Sequence, residues 1–139
     1  MSMWLDVLAV SPAAFRKIQE TPDLLDGVFF DEDDQIMADL GISNKDKAGI
    51  DYLSLCEAVE AMAEDVGDDE DEEVEPDFGA SGELDFSGGY DNPQYLEPGA
   101  LPGALESDTW SMAAGMDDEL ERLLESARKK KSYVIFVVS

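Results

Sequence analysis

The sequence predicts an α+β domain on three observations. Strand-like stretches stand at both ends, helix-start signals with helical apolar spacing fill much of the space between, and the middle is a long acidic segment without regular periodicity. A chain of 139 residues, 44% apolar, suffices for one domain and one core, so residues 1–139 are read as a single unit. The expected sheet is small and includes both terminal strands, which would tie down the two ends of the chain.

From Met3 to Val10 the residues form a mostly buried first strand, with Met3, Leu5, Val7 and Ala9 alternating with Trp4, Asp6, Leu8 and Val10. Ser11-Pro12 is an N-cap followed by proline at the first helical position, and Phe15 and Ile18 carry the helix to about Glu20. Thr21-Pro22 repeats the signal before a short helix with Leu24, Leu25, Val28 and Phe29 on its apolar face. Asp31–Asp34 is an acidic turn, and Ile36, Met37 and Leu40 make another helical turn that Gly41 stops.

The best-supported helix is expected to start from a cap at Asp46, to carry Ile50, Leu53, Ala58, Ala61 and Met62 on one face, and to end at Gly67. Residues 66–79 read as an acidic loop, because Asp68–Asp77 is too densely charged to pack. Residues 78–105, rich in Gly and Pro, read as irregular structure held by Phe78, Phe86, Tyr90 and Tyr95. A last helix spans Asp117–Lys129, acidic at its start and basic at its end as the helix dipole favours. The strand Tyr133–Val138 closes the chain.

Catalysis finds little support. There is no histidine, so no Ser-His or Cys-His pair can form. Cys56, the one cysteine, excludes an internal disulfide, suits a reducing cytoplasm and reads as a packed thiol. The glycines fit no phosphate-loop signature, which leaves no cofactor to expect. Asp31–Asp34 and Asp68–Glu73 lack the alternating ligands, sixth-position glycine and twelfth-position glutamate of a calcium loop, so no metal site is expected. The N-terminus has no basic region before its apolar stretch and is not read as a signal peptide. No apolar run approaches a membrane span.

Several stretches, in order, resemble the YfbM-like family, a bacterial family of domains of unknown function. They are Met1-Ser2-Met3 leading into a strand, Val10-Ser11-Pro12, Asp46-Lys47-Ala48 with Tyr52-Leu53 after it, Gly88-Gly89-Tyr90-Asp91-Asn92-Pro93-Gln94-Tyr95-Leu96 before Glu97-Pro98, and the strand Tyr133–Val138 after Ala127-Arg128-Lys129. The chain departs from the family where Gly49 and Ile50 stand after Asp46-Lys47-Ala48, positions where members often carry tryptophan and histidine. The resemblance implies an α+β fold and supplies no catalytic residue. It also implies a relation to toxin immunity, since some members sit beside bacterial toxins.

Charge is the dominant signal. The formal net charge is -25, and the nine basic residues are Arg16, Lys17, Lys45, Lys47, Arg122, Arg128, Lys129, Lys130 and Lys131. Residues 48–121 hold 23 carboxylates and no cation. A surface selected only for solubility mixes signs, because mixing removes self-repulsion. Segregation of this kind fits a surface that meets a cationic partner. The expected partner-binding residues are Asp68, Asp69, Glu70, Asp71, Glu72, Glu73, Glu75 and Asp77, with Tyr90, Asp91 and Tyr95; Phe78, Phe86 and Trp110 are read either as further aromatic anchors or as ordinary core, the two readings standing even for Phe78 and Phe86. The expected function is that of a cytoplasmic immunity protein, not an enzyme, which binds and neutralises a basic, nuclease-like toxin. The alternative is an acidic chaperone or carrier for a basic protein. Neither nucleic acid nor a membrane is an expected partner. The cations Arg128–Lys131 read as a helix C-terminal cap.

Overall fold

A computed structural model of the chain describes residues 4–21, 23–29, 34–63, 78–84 and 93–138. At its centre the two terminal strands pair. β1 (Trp4–Val10) runs antiparallel to β5 (Tyr133–Val138), with Leu5 opposite Val138 and Val10 opposite Tyr133. β2 (Lys47–Asp51) lies outside β1, while β4 (Gln94–Leu96) and then β3 (Gly82–Glu83) lie outside β5. All four pairings are antiparallel, and the order is β2-β1-β5-β4-β3. The fold is α+β and its sheet includes both terminal strands, as the sequence predicts; the order places them inside it.

Side chains alternate across the sheet, and both faces are covered. Leu5, Val7, Ala9, Val134 and Phe136 enter one core with residues of α4 (Tyr52–Ala63), α5 (Leu101–Leu105), α6 (Asp108–Met116) and α7 (Asp118–Lys130). Leu8, Val10 and Ile135 enter a second core with α1 (Pro12–Glu20), α2 (Leu24–Phe29) and α3 (Asp34–Leu40). Double-sided burial explains why β1 and β5 read as nearly continuous apolar runs.

The signals at the start of α1 and the end of α3 act as the sequence predicts. Ser11 Oγ accepts from the Ala14 amide at 3.2 Å, and Pro12 opens α1. Gly41, at φ +69°, ends α3 in the left-handed region that glycine enters without a Cβ penalty. Asp117 caps α7, accepting from the Glu119 amide at 3.0 Å.

Two expectations need correction. The helix expected to start at Asp46 and include Ile50 begins at Tyr52, and Lys47–Asp51 is a strand. Ala48 and Ile50 face the first core, while Lys47, Gly49 and Asp51 alternate with them; five residues of period two lie inside what reads as helical spacing. The N-terminal cap is Asp51, whose carboxylate accepts from the Leu53 and Ser54 amides at 3.0 and 3.3 Å. Asp46 instead closes the 3-10 turn Asn44–Asp46, accepting from Ser43 N at 3.0 Å and Ser43 Oγ at 3.2 Å.

The second correction concerns residues 78–105, where the described residues form β3, β4 and α5; each is too short to show a period. Helix α6, capped by Ser107, follows without having been anticipated. Asp34 belongs to α3, whereas Asp31–Asp33, Gly67 and Asp68–Asp77 lie outside the described residues.

Candidate protein-binding site

Described residues stand on both sides of the acidic segment in the sequence. Before it, α4 runs to Ala63. After it, Phe78 is locked into the first core: the Trp110 indole Nε1–H donates to the Phe78 carbonyl at 2.9 Å, and their rings meet edge-on at 5.2 Å. Phe136 lies 5.0 Å from Phe78 and 5.3 Å from Trp110, which completes an aromatic trio.

From Phe78 the chain enters the β3–β4 hairpin. The Ser81 amide donates to the Tyr95 carbonyl at 2.8 Å, and the Glu97 amide donates to Ser81 Oγ at 3.0 Å. Leu84 and Pro93, the residues that flank 85–92, are joined by a 2.7 Å bond from the Leu84 amide to the Pro93 carbonyl. Glu83 and Glu97 are exposed on this hairpin. With β3 at one edge of the sheet, the hairpin presents carboxylates on the side opposite β2.

Of the expected partner-binding residues, Tyr95 alone is described. It is half-buried, with its ring 4.8 Å from that of Phe15 and 6.4 Å from that of Tyr133. The Phe15 and Tyr133 rings stack at 3.9 Å. Tyr95 thus takes part in holding α1 against the sheet and offers only part of its surface outward. Asp68, Asp69, Glu70, Asp71, Glu72, Glu73, Glu75, Asp77, Tyr90 and Asp91 lie outside the described residues, as does Phe86. Phe78 and Trp110 take the second of their two readings, as core residues at 8% and 1% exposure, and are not anchors. An acidic neighbourhood in sequence says nothing about which way an aromatic ring points.

Sequence reasoning missed a second feature, at the other edge. A cleft of about 740 Å³ lies between the turn Asn44–Asp46 with the start of β2 on one side and α7 on the other. Lys45, Lys47, Arg122 and Lys130 line it, with Asp46 and Glu119 as its carboxylates. The signal was present as spacing: Glu119, Arg122, Ser126 and Lys130 recur at three and four residues and so share one stripe of α7. What a single sequence hides is that residues 43–47 fold beside that stripe.

Lys47 also bears on Asp6. Its ammonium donates to the Val28 carbonyl at 2.7 Å, which fixes it on the α2 side of the sheet. Asp6 shares that face by register. Burial pushes the Asp6 carboxyl up from 3.8 to about 6, and the nearby positive charge of Lys47 opposes the shift without cancelling it. On the same strand Trp4 is 46% exposed and covers Gly49; a Cβ at Gly49 would run into the indole. This explains locally why glycine stands at that position.

Among the described residues no three His, Cys, Asp or Glu side chains gather as they would around a metal ion. Cys56 is half-buried on α4. Among the described residues no helix is long and apolar enough to cross a membrane. Compared with family models, with curated proteins and with solved structures, the chain matches none.

Proposed function

We propose that this chain is an immunity protein of the YfbM-like kind, acting in the cytoplasm without catalysis. It binds a basic toxin through its acidic segment and blocks the toxin's nucleic-acid-binding face. The observation that carries the reading is the stretch of residues 48–121, with 23 carboxylates and no cation. Ten of those carboxylates fall within the fourteen residues 64–77. A nuclease groove is lined with Lys and Arg to meet phosphates, and a dense run of carboxylates offers it comparable charge. Opposite fields also steer encounter, raising association toward about 10⁸–10⁹ M⁻¹s⁻¹ at low salt. The hairpin supports the reading, because Glu83 and Glu97 add exposed carboxylates on a hydrogen-bonded frame.

The test is a pull-down with the product of the neighbouring gene, followed by stopped-flow association across a salt series and a DNA-cleavage assay. Association should slow steeply as ionic strength rises, and the complex should neither bind nor cut DNA. A salt-independent association rate would remove the electrostatic basis. A complex that forms but cuts DNA normally would leave a carrier for a basic protein as the better reading.

A further inference from the structure

We infer that the cleft between the turn Asn44–Asp46 and α7 is a binding site for a small phosphate-bearing anion. Its volume, about 740 Å³, falls within the roughly 300–1,000 Å³ of small-molecule sites. The charge inside it runs against the rest of a chain of net charge -25. Asp46 is occupied in closing the turn through Ser43, and the Lys47 ammonium is bound to the Val28 carbonyl. That leaves Lys45, Arg122 and Lys130 as donors, with Glu119 as the opposing carboxylate. Among the described residues none of these three cations is held in an ion pair. The hollow next to the cleft shares Arg122, Ser126 and Lys130 and adds Lys129 and Glu125, so cations still outnumber carboxylates there, three to one.

Helix capping accounts for only part of this arrangement. Lys129 and Lys130 stand in the last turn of α7, where the dipole favours cations. Arg122 stands near the other end of the helix, and Lys45 is on a different element. Neither gains from that dipole, yet both line the same cleft.

The donor set selects the ligand chemistry. A guanidinium fork, two ammonium groups and the Ser126 hydroxyl suit tetrahedral oxyanions, and Arg engages phosphate bidentately. Overall charge selects size. Five strands about 4.8 Å apart place the β2 edge about 19 Å from the acidic β3 edge. That exceeds the Debye length of about 8 Å at physiological salt. A ligand contained in the cleft meets the local cations, whereas a nucleic acid running beyond it meets the carboxylates.

The experiment is titration of the full ¹⁵N-labelled chain with inorganic phosphate, pyrophosphate and ATP at constant ionic strength, read by amide chemical shifts. Saturable shifts should appear at residues 43–47 and 119–130, and affinity should rise from phosphate to pyrophosphate. Arg122→Gln with Lys130→Gln, both at exposed positions, should weaken pyrophosphate binding at least tenfold, and so should Lys45→Gln on the facing wall. No saturable shift with any of the three probes would overturn the inference. So would equal binding by all variants, or displacement of pyrophosphate by a poly-glutamate peptide of higher affinity.

Discussion

A buried indole and a half-buried carboxyl show how single atoms are constrained in this fold. Trp110 is 1% exposed, and its indole N–H is the recorded partner of the Phe78 carbonyl. Trp110→Phe keeps an aromatic ring but leaves that carbonyl without its donor, a loss that costs about 1–3 kcal/mol when the group stays dry. The urea midpoint should fall accordingly, and an unchanged midpoint would mean that water reaches the carbonyl. Asp6 presents the opposite case, a charge whose own burial is unfavourable. Its folded pKa of about 6 lies above the ordinary 3.8. Between those values the folded chain holds a proton that the unfolded chain has released, so stability falls as pH rises through this window. Asp6→Asn removes that dependence. The variant should melt above the wild type at pH 7, and the difference should shrink toward zero below about pH 4. A difference independent of pH would show that Asp6 does not titrate in this range.

Among the elements, α7 and β2 are instructive contrasts. Helix α7 ends at Lys131 in the left-handed conformation, at φ +55°, with its amide turned back to the Ala127 and Arg128 carbonyls. A side chain there costs about 1–2 kcal/mol that glycine avoids. Lys131→Gly should therefore stabilise the chain by about 0.5–1 kcal/mol after loss of one cation from the helix end. Lys131→Val should destabilise it, and chemical denaturation of both variants checks the pair. The rest of α7 was legible in sequence because four buried residues (Leu120, Leu123, Leu124 and Ala127) repeat over a long enough span, with a cap at one end and cations at the other. β1, β5 and α1 were legible for similar reasons of length, composition and capping. β2 was not: its Ala48 and Ile50 fit a helix as well as a strand, and only the partner β1 decides between them. β3 and β4, of two and three residues, owe their form to pairing with β5 and with each other. The acidic half of the candidate site could be read from composition alone, because charge needs no fold to be counted. The cationic cleft could not, since it arises from two segments about 75 positions apart in the chain that packing brings together.

At the scale of the molecule, charge separation is a strain as well as a means of attraction. A chain of net charge -25 repels itself when compact, and the repulsion is concentrated where ten carboxylates occupy residues 64–77. If those carboxylates serve a partner, the fold should not need them. Changing Asp68, Asp69, Asp71, Glu72 and Glu73 to Asn or Gln removes five of 34 carboxylates. The melting temperature should stay level or rise. Any gain should be greatest at low salt, because the Debye length shortens from about 30 Å at 0.01 M to about 10 Å at 0.1 M and screens the same repulsion in the wild type. Association with the basic partner should slow in the same variant, while dissociation should change less, since charge mainly sets the encounter rate. A thermal scan at two salt concentrations, set beside stopped-flow binding, separates the two effects. Cooperative loss of structure at neutral pH would instead make these carboxylates part of the fold, and the partner-binding role assigned to them would then lose its basis.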